Sequence, residues 1–453
     1  MGTCAAGTQQ CTDDGLGFTP CVGQVLPDTE SCADPVDTNC DGVSPTCPSW
    51  TTIGVSSGNA GGAALVTTPG GVVVSGYFAG TMTLGGFQLT SNGGFDHFVA
   101  ALDNTGQPIW ATSWGSIEYD YSSHVAALPS GDIVVATGYR GPMQVGAKPV
   151  DFGGDHDVVV VLLSGATGQV QAVKAFPAPD FQGITNVGVS ATGEIILLCA
   201  QEGTVDWGGG PLVVQGSREV SIRLDQDLSF VSATVLGNID AVSTNGAFGA
   251  GGMAIVSSLQ GTDDWGTGPL VSNGSMDALT VRYDDSGAAL WGRHDGDAGL
   301  QEGTAAAIDA AGGVLAAGHY TGTFDLGNGT PVLSSGWAGY VARFDANGAA
   351  TWVTSFESSN FTDVYGLADA QGDTIVVGEA HGLLTVGALT LDLSGGGIQA
   401  FAARLDATGA PIWLKAVAGG GVSTAYEVVV ASNGAVFMTG TSDAGAWIEL
   451  TSY

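Results

Sequence analysis

Short apolar runs, separated by clusters of Gly, Asn, Asp and Ser, dominate the pattern of this chain. Each run is about six to eight residues long and rich in Val and Ile, which is typical of strands bounded by turns. The apolar residues show no sustained 3.6-residue period, so the pattern predicts almost no helix. No run of about 18 apolar residues occurs, and we therefore expect no membrane-spanning helix.

The apolar runs repeat at an interval of about 60 residues or twice that. One strand recurs as FVAALD ending at Asp103, SIRLD ending at Asp225, YVARFD ending at Asp345 and FAARLD ending at Asp406. A second strand, opening on Gly, is found in seven copies, at residues 71–78, 131–139, 193–201, 251–260, 312–320, 372–380 and 434–441. Four strands per repeat at this period predict an all-β fold, a seven-bladed β-propeller.

The two ends of the repeat region are complementary. The last repeat stops without an outer strand, whereas residues 49–54, around Trp50, form an outer-type strand with no preceding partners. We expect this strand to complete the last blade, a one-plus-three closure that removes exposed strand edges. The predicted domains are therefore residues 1–48 and residues 49–453.

Residues 1–48 lack the repeat and hold six of the seven cysteines: Cys4, Cys11, Cys21, Cys32, Cys40 and Cys47. An even number in so short a segment predicts a disulfide-stapled module from an oxidising compartment. Thiolate metal binding is the alternative, although no CxxC pair is present. The sequence does not open on a signal peptide, so we expect the native chain to begin earlier and to be exported.

This module contains one motif with metal chemistry. The pattern D-x-N-x-D-G is formed by Asp37, Asn39, Asp41 and Gly42, and the carbonyl of Val43 follows it. Alternate oxygen ligands of this kind predict calcium as a cofactor. Pro48 stands where an EF-hand places its bidentate Glu, which excludes a true EF-hand. The alternative is an Asx-rich turn braced by Cys32 and Cys40.

The charge balance limits the classes of partner. The net charge is −34, and only ten Lys and Arg residues are present, so little basic surface exists to neutralise phosphates. We therefore expect no nucleic acid partner. Four of the basic residues recur two positions before an Asp, and four tryptophans also recur. We interpret both sets as scaffold: Arg223, Arg282, Arg343, Arg404, Trp110, Trp291, Trp352 and Trp413.

The long connections of the repeat are expected to lie on one face of the ring, where loops carry function more often than the scaffold does. The links between blades there are acidic and aromatic, a combination that suits sugar rings or cations. The candidate binding residues are Glu118, Tyr119, Asp120, Tyr121, Phe181, Asp295, Asp297 and Phe361. The alternative is that they are solvated loops of an acidic protein. The short TSDAGAW link should leave a notch in this rim at the last blade.

Two resemblances follow from these motifs. The repeat, with VxxxxSGDIVVATGY and DxFVAxLDxTGxxxW, resembles the SBBP-type seven-bladed propeller repeats of secreted bacterial proteins over residues 50–453. The leader, with CxxGTQQC, CVGQVLPDTESC and DTNCDG, is similar to Cys-rich modules of myxobacterial surface proteins related to metal-binding MopE-type repeats. Neither family brings a catalytic motif. The resemblances imply extracellular binding or surface architecture.

Three functions remain open at this point. The first is non-enzymatic binding, adhesion or assembly, in which the loops meet a glycan or protein at the outer cell surface. The second is a hydrolase or lyase that acts on an extracellular polymer through loop carboxylates. The third is a structural subunit of a surface filament or coat. The one G-x-S-x-G match, at residues 54–58, lacks the strand-to-helix elbow that would expose Ser56, so no catalytic residue is assigned.

Overall fold

The described part of the chain is built of β-strands. This computed structural model describes residues 49–239, 244–417 and 421–451, together with residues 6, 8–10, 12, 18–19 and 22–25. The six leading cysteines and the predicted calcium motif therefore lie outside the described residues. Within the described ranges there is no helix, which confirms the all-β prediction and leaves no helix that could cross a membrane.

Most strands belong to antiparallel units of four, each strand hydrogen-bonded to the next. The innermost strands are β2 (Ala60–Thr68), β6 (Ser123–Ala127), β12 (Gln182–Val189), β18 (Asn245–Gly249), β24 (Gln301–Ile308), β28 (Phe361–Ala370) and β33 (Ser423–Val430). The second strands are β3 (Gly71–Leu84), β7 (Ile133–Tyr139), β13 (Ile195–Gln201), β19 (Gly252–Leu259), β25 (Val314–Phe324), β29 (Asp373–Val386) and β34 (Val436–Ser442).

The remaining strands complete the units and their hairpins. The third strands are β4 (Phe87–Asp103), β10 (Asp157–Leu163), β16 (Arg218–Leu224), β22 (Asp277–Tyr283), β26 (Val332–Phe344), β31 (Gln399–Leu405) and β35 (Gly445–Thr451). The outer strands are β5 (Pro108–Trp114), β11 (Val170–Phe176), β17 (Phe230–Asn238), β23 (Ala289–Asp295), β27 (Ala350–Ser358), β32 (Pro411–Ala416) and β1 (Trp50–Ser56). Short hairpin strands are β8 (Met143–Val145), β9 (Lys148–Val150), β14 (Thr204–Asp206), β15 (Pro211–Val213), β20 (Thr262–Asp264), β21 (Pro269–Val271) and β30 (Leu389–Leu393).

The units are arranged in a propeller-like ring. Each innermost strand lies against the innermost strand of the next unit, and β33 lies against β2. A channel cavity of about 500 Å³ is lined by all of these strands. Turns within the units fall at one end of the ring, which we call the turn face. The links between units and the long hairpins fall at the other end, which we call the loop face.

Strand β1 occupies the outer position of the last unit. Its ladder with β35 runs from the pair Trp50 and Leu450 to the pair Gly54 and Ala446. Beyond this ladder, Val55 pairs with Thr83 of β3, so the hairpin of the first unit continues the sheet of the last one. The ladder with β35 thereby gives the last unit its fourth strand.

Apolar side chains fill the space between neighbouring units. The middle strands are buried on both faces, as in β10, where every residue from Asp157 to Leu163 is buried. Trp207 and Trp265, which lie in two of the long hairpins, are also buried.

Tryptophans of four outer strands link their units to the next unit at the turn face. The indole N–H of Trp352 donates to the carbonyl of Ala407 at 3.0 Å, in the turn of the following unit. Trp110 and Trp291 make the same bond to Gly165 and Ala346, and Trp50 makes it to Asn104. The link from Trp50 joins the last unit to the first.

The recurring Arg and Asp side chains brace the same face, as the scaffold interpretation expects. Arg343 pairs with Asp309 at 2.7 Å and also donates to the carbonyl of Gly372 in the next unit. Arg223 pairs with Glu194 at 2.8 Å and likewise reaches a carbonyl of the next unit. Each recurring Asp accepts backbone N–H groups within its own turn. For Asp345 Oδ1 these come from Asn347 at 2.8 Å and Ala349 at 2.9 Å.

Candidate functional site at the mouth of the channel

A β-bulge recurs where the innermost strands enter the loop face. In five units the register between the first and second strands shifts at the same position, and one extra residue is inserted. The inserted residues are Ala63, Thr185, Thr304, Tyr365 and Tyr426. A bulge re-aims a side chain and is over-represented beside functional sites. Tyr365 and Tyr426 stand on neighbouring units, and their ring centroids are 5.9 Å apart.

A continuous run of aromatic rings leads from the loop-face end of the channel, which we call the mouth, to the outer border of the loop face, which we call the rim. The hydroxyl of Tyr426 hydrogen-bonds to that of Tyr77, and the Tyr77 ring lies 5.2 Å from Phe95. The ring centroid of Phe95 in turn lies 5.5 Å from that of Tyr119 and 5.6 Å from that of Tyr121. We call this run the aromatic track; it consists of Tyr119, Tyr121, Phe95, Tyr77, Tyr426 and Tyr365.

The outer end of the aromatic track is a stacked tyrosine pair. The rings of Tyr119 and Tyr121 are 6.1 Å apart and inclined by only 9°. They are also open to solvent, with 52% and 38% of each residue exposed. Aromatic side chains left this exposed in an otherwise polar link present an apolar face to a partner.

Asp120, between the two tyrosines, holds their link in place. Its carboxylate is buried and accepts N–H bonds from Ser116 and, at 2.8 Å, from Arg140. Its own N–H donates to the carbonyl of Phe95 at 2.9 Å. Burial raises the pKa of Asp120, and these donors only partly oppose the effect. Asp120 therefore positions the tyrosines rather than facing a ligand.

Several polar side chains surround the inner end of the aromatic track. Asp363 and Glu379 stand directly opposite each other on β28 and β29. The Tyr365 hydroxyl lies 3.2 Å from a carboxylate oxygen of each, and its single proton serves only one of them. The other oxygen of Glu379 accepts from the hydroxyl of Thr424.

His319 extends this group towards a third carboxylate. Its Nδ1 lies 3.2 Å from Asp363 and its Nε2 lies 3.3 Å from Glu302, at ion-pair distances but outside hydrogen-bond angles. Trp337 stacks on the imidazole at 4.1 Å and donates its indole N–H to Asp363 at 2.6 Å. We call the whole set the mouth cluster; it consists of Glu302, His319, Trp337, Asp363, Tyr365, Glu379 and Thr424.

Two carboxyl groups of the mouth cluster, those of Asp363 and Glu379, have pKa values shifted in opposite directions. Burial alone would raise the pKa of Asp363, but His319, Trp337 and Tyr365 outweigh it and the pKa is lowered. Burial raises the pKa of Glu379, and the bonds from Thr424 and Tyr365 only partly oppose this. Burial and the two neighbouring carboxylates raise the pKa of Tyr365. Tyr365 is therefore held as a neutral hydroxyl, and Glu379 keeps a proton to higher pH than Asp363 does.

No protein-family model matches the chain, and no curated protein matches it either. Solved structures do match it over most of its length. The polysaccharide lyase Uly1 is 12% identical, covers 86% of this chain and 90% of its own, and has a TM-score of 0.43. YCF48 bound to D1 peptide is 11% identical, with coverage of 90% and 96% and a TM-score of 0.42. A glucose dehydrogenase is 10% identical, with coverage of 89% and 100% and a TM-score of 0.37.

Likenesses this distant carry no functional inference. The resemblances to SBBP-type repeats and to MopE-type modules stay predictions. What this chain does must be argued from its own side chains.

The structure separates the predicted binding residues into three groups. Glu118, Tyr119 and Tyr121 are exposed on the rim, whereas Phe181 and Phe361 are half-buried; Phe181 packs edge-on against His156 at 5.5 Å. Asp295 is buried and pairs with Arg293, whose Nε lies 2.8 Å from Asp295 Oδ2. Asp297 accepts backbone N–H bonds from Gly299 and Thr323. Like Asp120, these two carboxylates are engaged by N–H groups of neighbouring protein residues.

Sequence reasoning missed the inner half of the site, namely Tyr77, His319, Trp337, Tyr365, Glu379 and Tyr426. One signal was available, because VYGLAD and AYEVVV place a tyrosine at the same point of neighbouring repeats. The bulge that aims these two rings was hidden, since an inserted residue breaks the alternation by which strand faces are assigned. Within the described ranges, no group of three or more His, Cys, Asp or Glu is arranged to hold a metal ion.

The channel below the mouth is lined by fewer polar side chains than the mouth itself. Asn186 and Glu427 follow the inserted residue of their bulges, and His124 takes the equivalent place in β6; all three line the channel cavity. Burial raises the pKa of Glu427 to about 8 and lowers that of His124 to about 4. At neutral pH both side chains are therefore mostly uncharged, in keeping with the apolar side chains that predominate around them.

Proposed function

We propose that this protein is a non-enzymatic binding protein that holds a glycan chain along the aromatic track, for adhesion, recognition or assembly at a cell surface. The aromatic track is the observation that carries the proposal. Its rings offer apolar faces on which the CH faces of sugars stack, and carboxylates beside them accept hydrogen bonds from sugar hydroxyls. The track is longer than a site for one small molecule requires, which favours a chain.

The mouth cluster supports binding better than catalysis. A lyase base must take a proton from its substrate, so it must first be deprotonated itself. Burial and two neighbouring carboxylates raise the pKa of Tyr365, which therefore keeps its own proton near neutral pH. A glycosidase needs carboxyl groups on either side of the scissile bond, about 5 Å or more apart with the sugar between them. Asp363 and Glu379 instead face each other across one tyrosine hydroxyl. The hydrolase or lyase alternative is therefore the weaker one.

The architecture we propose for this display is a seven-bladed propeller closed by β1. Residues 1–48 would form a disulfide-stapled module, with calcium bound at Asp37, Asn39, Asp41 and the carbonyl of Val43, and the protein would be exported to the outer surface. Thermal melts with calcium and with EDTA test the calcium site. Identical melts would remove it.

The proposed function is tested on the rim tyrosines. A glycan array and titration calorimetry would compare the wild type with the double variant Tyr119→Ala, Tyr121→Ala. We expect the affinity for the best array ligand to fall at least about tenfold, or about 1.4 kcal/mol, because the stacking faces are removed. The double variant Tyr119→Phe, Tyr121→Phe keeps the faces and is the matched control. Unchanged binding in the Ala variant, or no glycan bound by the wild type, would reject the proposal.

A further inference from the structure

The last unit leaves a cavity in the rim of the loop face. Its second and third strands are joined by a two-residue turn, Asp443 and Ala444, since Ser442 already pairs with Gly445. Where other units carry a long hairpin, a cavity of about 300 Å³ opens at the junction with the first unit. We call this cavity the notch; its polar lining includes Ser56, Asn59, Ser423, Thr424, Thr441 and Asp443.

The lining of the notch is rich in hydrogen-bond acceptors. The hydroxyl protons of Ser56 and Thr441 are directed to the carbonyls of Ala79 and Ala60, at 2.7 and 2.9 Å. The proton of Thr424 is directed to Glu379. These hydroxyl oxygens keep lone pairs. Asp443 adds an exposed carboxylate, whose Oδ2 accepts the backbone N–H of Val422 at 3.2 Å and whose other oxygen faces no such donor among the described contacts. The lining therefore favours a ligand that donates hydrogen bonds; sugar hydroxyls do so, and they can also accept from the amide of Asn59.

Charge excludes the acidic sugars. The notch lining contains no Lys, Arg or His, while Asp443 lies in the wall and Glu379 lies just behind Thr424. A uronate or sulfate group would enter without a counter-charge, and burying an unpaired charge beside another of the same sign is costly. The volume is at the lower end of ligand pockets, which suits a single ring.

The notch also adjoins the aromatic track. Thr424 is shared between the notch and the mouth cluster, and Tyr426 follows two residues later on β33. On the opposite side, Ala60 lines the notch and is followed by Gly61, where a Cβ would come within 2.7 Å of the Tyr77 hydroxyl. The notch therefore opens beside the pair Tyr77 and Tyr426.

We infer that the notch is a subsite for one uncharged sugar residue of the glycan that lies on the aromatic track. This inference rests on the proposed function and adds the class of ligand, a neutral polysaccharide, together with the place where one of its residues is read. The track supplies stacking, which is tolerant of sugar identity. The notch supplies shape and hydrogen-bond acceptors, which are selective.

The variant Ala444→Trp tests the notch by filling it from the exposed turn. Calorimetry would use uncharged oligosaccharides of increasing length from glucan, xylan, mannan and chitin. We expect fragments long enough to reach the notch to bind at least about tenfold more weakly to the variant, and short fragments to bind equally. Ala191→Trp, in an exposed turn of the turn face, is the matched control. Asp443→Asn, which nearly preserves shape, should weaken the long fragments several-fold and serves if Ala444→Trp does not fold.

Three outcomes overturn the inference. Long neutral fragments that bind Ala444→Trp and the wild type equally would remove the subsite while leaving the proposed function intact. Preferential binding of uronate or sulfated fragments, lost in Ala444→Trp, would contradict the neutral class. A peptide ligand lost in Ala444→Trp would contradict the sugar. Absence of any glycan binding by the wild type would instead reject the proposed function itself.

Discussion

The turn face and the loop face satisfy their polar groups in different ways. At the turn face, each recurring Asp closes its own turn, each recurring Arg finds a carboxylate or carbonyl, and Trp352 caps the next unit in the same way as Trp110 does. At the loop face, several buried polar atoms of the described residues have no hydrogen-bond partner in the protein. They include Asp96 Oδ1, His97 Nδ1, Glu219 Oε2, Asp277 Oδ1 and Thr362 Oγ1.

This difference separates stability from binding. Contacts repeated from unit to unit serve the ring as a whole, because each unit depends on the next one. Side chains that break the repeat are not needed for that purpose, and they are concentrated where the aromatic track and the mouth cluster lie. Substitutions at the turn face should therefore lower the free energy of unfolding and leave binding unchanged. Substitutions on the rim should weaken binding and leave the free energy of unfolding nearly unchanged.

The largest effect is expected at Trp352. This side chain is only 8% exposed and packs in the core cluster with Phe356 and Phe401. Trp352→Ala should lower the free energy of unfolding by about 3–5 kcal/mol, measured by chemical denaturation, because it leaves a cavity and frees the carbonyl of Ala407. Glycan affinity of the folded protein should not change. Trp352→Phe should cost far less, and a loss below about 0.5 kcal/mol for the Ala variant would contradict the linking role.

Glu219, at the start of β16 on the loop face, tests the cost of an incompletely paired carboxyl group. Burial raises the pKa of Glu219 to about 8, from the ordinary value of 4.5 that holds in the unfolded chain. The folded state thus favours the protonated form, so this stabilisation is complete below pH 4.5 and is lost as the pH rises through 8.

Glu219→Gln should remove that loss, and the free energy of unfolding of the variant should exceed that of the wild type at pH 8–9 by up to about 4 kcal/mol. The measurement is the difference between the two curves of unfolding free energy against pH. Glu427→Gln is a useful comparison, because its pKa is also raised to about 8 but its side chain lines the channel. Parallel curves for wild type and Glu219→Gln would refute the assignment.

A smaller loss in the free energy of unfolding is expected at Asp345. Replacing it with Ala removes the acceptor for two backbone N–H groups of one turn and should cost about 1 kcal/mol. Asp345→Asn keeps one acceptor oxygen and should cost less. An Ala variant as stable as the Asn variant would show that the turn does not depend on this side chain.

The smallest change in stability is expected from the rim tyrosines. Both are exposed, so Tyr119→Ala with Tyr121→Ala should alter the free energy of unfolding by no more than about 0.5 kcal/mol. The same variant is the one expected to lose glycan binding. A large loss of stability would mean that these rings belong to the scaffold, and the contrast between the two faces would then fail.

The sequence was informative wherever one contact recurs. Alternating strands, turn residues and the repeated Trp, Arg and Asp positions each encode a local preference that the structure uses in several units. The bulges at Tyr365 and Tyr426 could not be read in this way, since an insertion is visible only once the pairing partner is known. The opposition of Asp363 and Glu379 likewise depends on register.

The surroundings of the acidic residues could not be predicted for a related reason. Asp120, Asp295 and Asp297 have the composition of a ligand site, yet each lies in a link that needs acceptors for its own N–H groups or for an Arg. Sequence alone does not distinguish a carboxylate that faces solvent from one that faces its own backbone. The exposed tyrosines were easier to find because a short polar link has nowhere to bury them.

The ladder between β1 and β35 has a consequence for how the protein is made. Strand β1 emerges from the ribosome before the units that follow, but its partner β35 is the last of the described strands to be synthesised. Until β1 and β35 pair, the edges that they share in the folded protein remain open, and each can pair with a foreign strand. Closure is therefore the moment at which the nascent chain stops being prone to aggregation, and a chaperone that shields β1 would be most useful just before it.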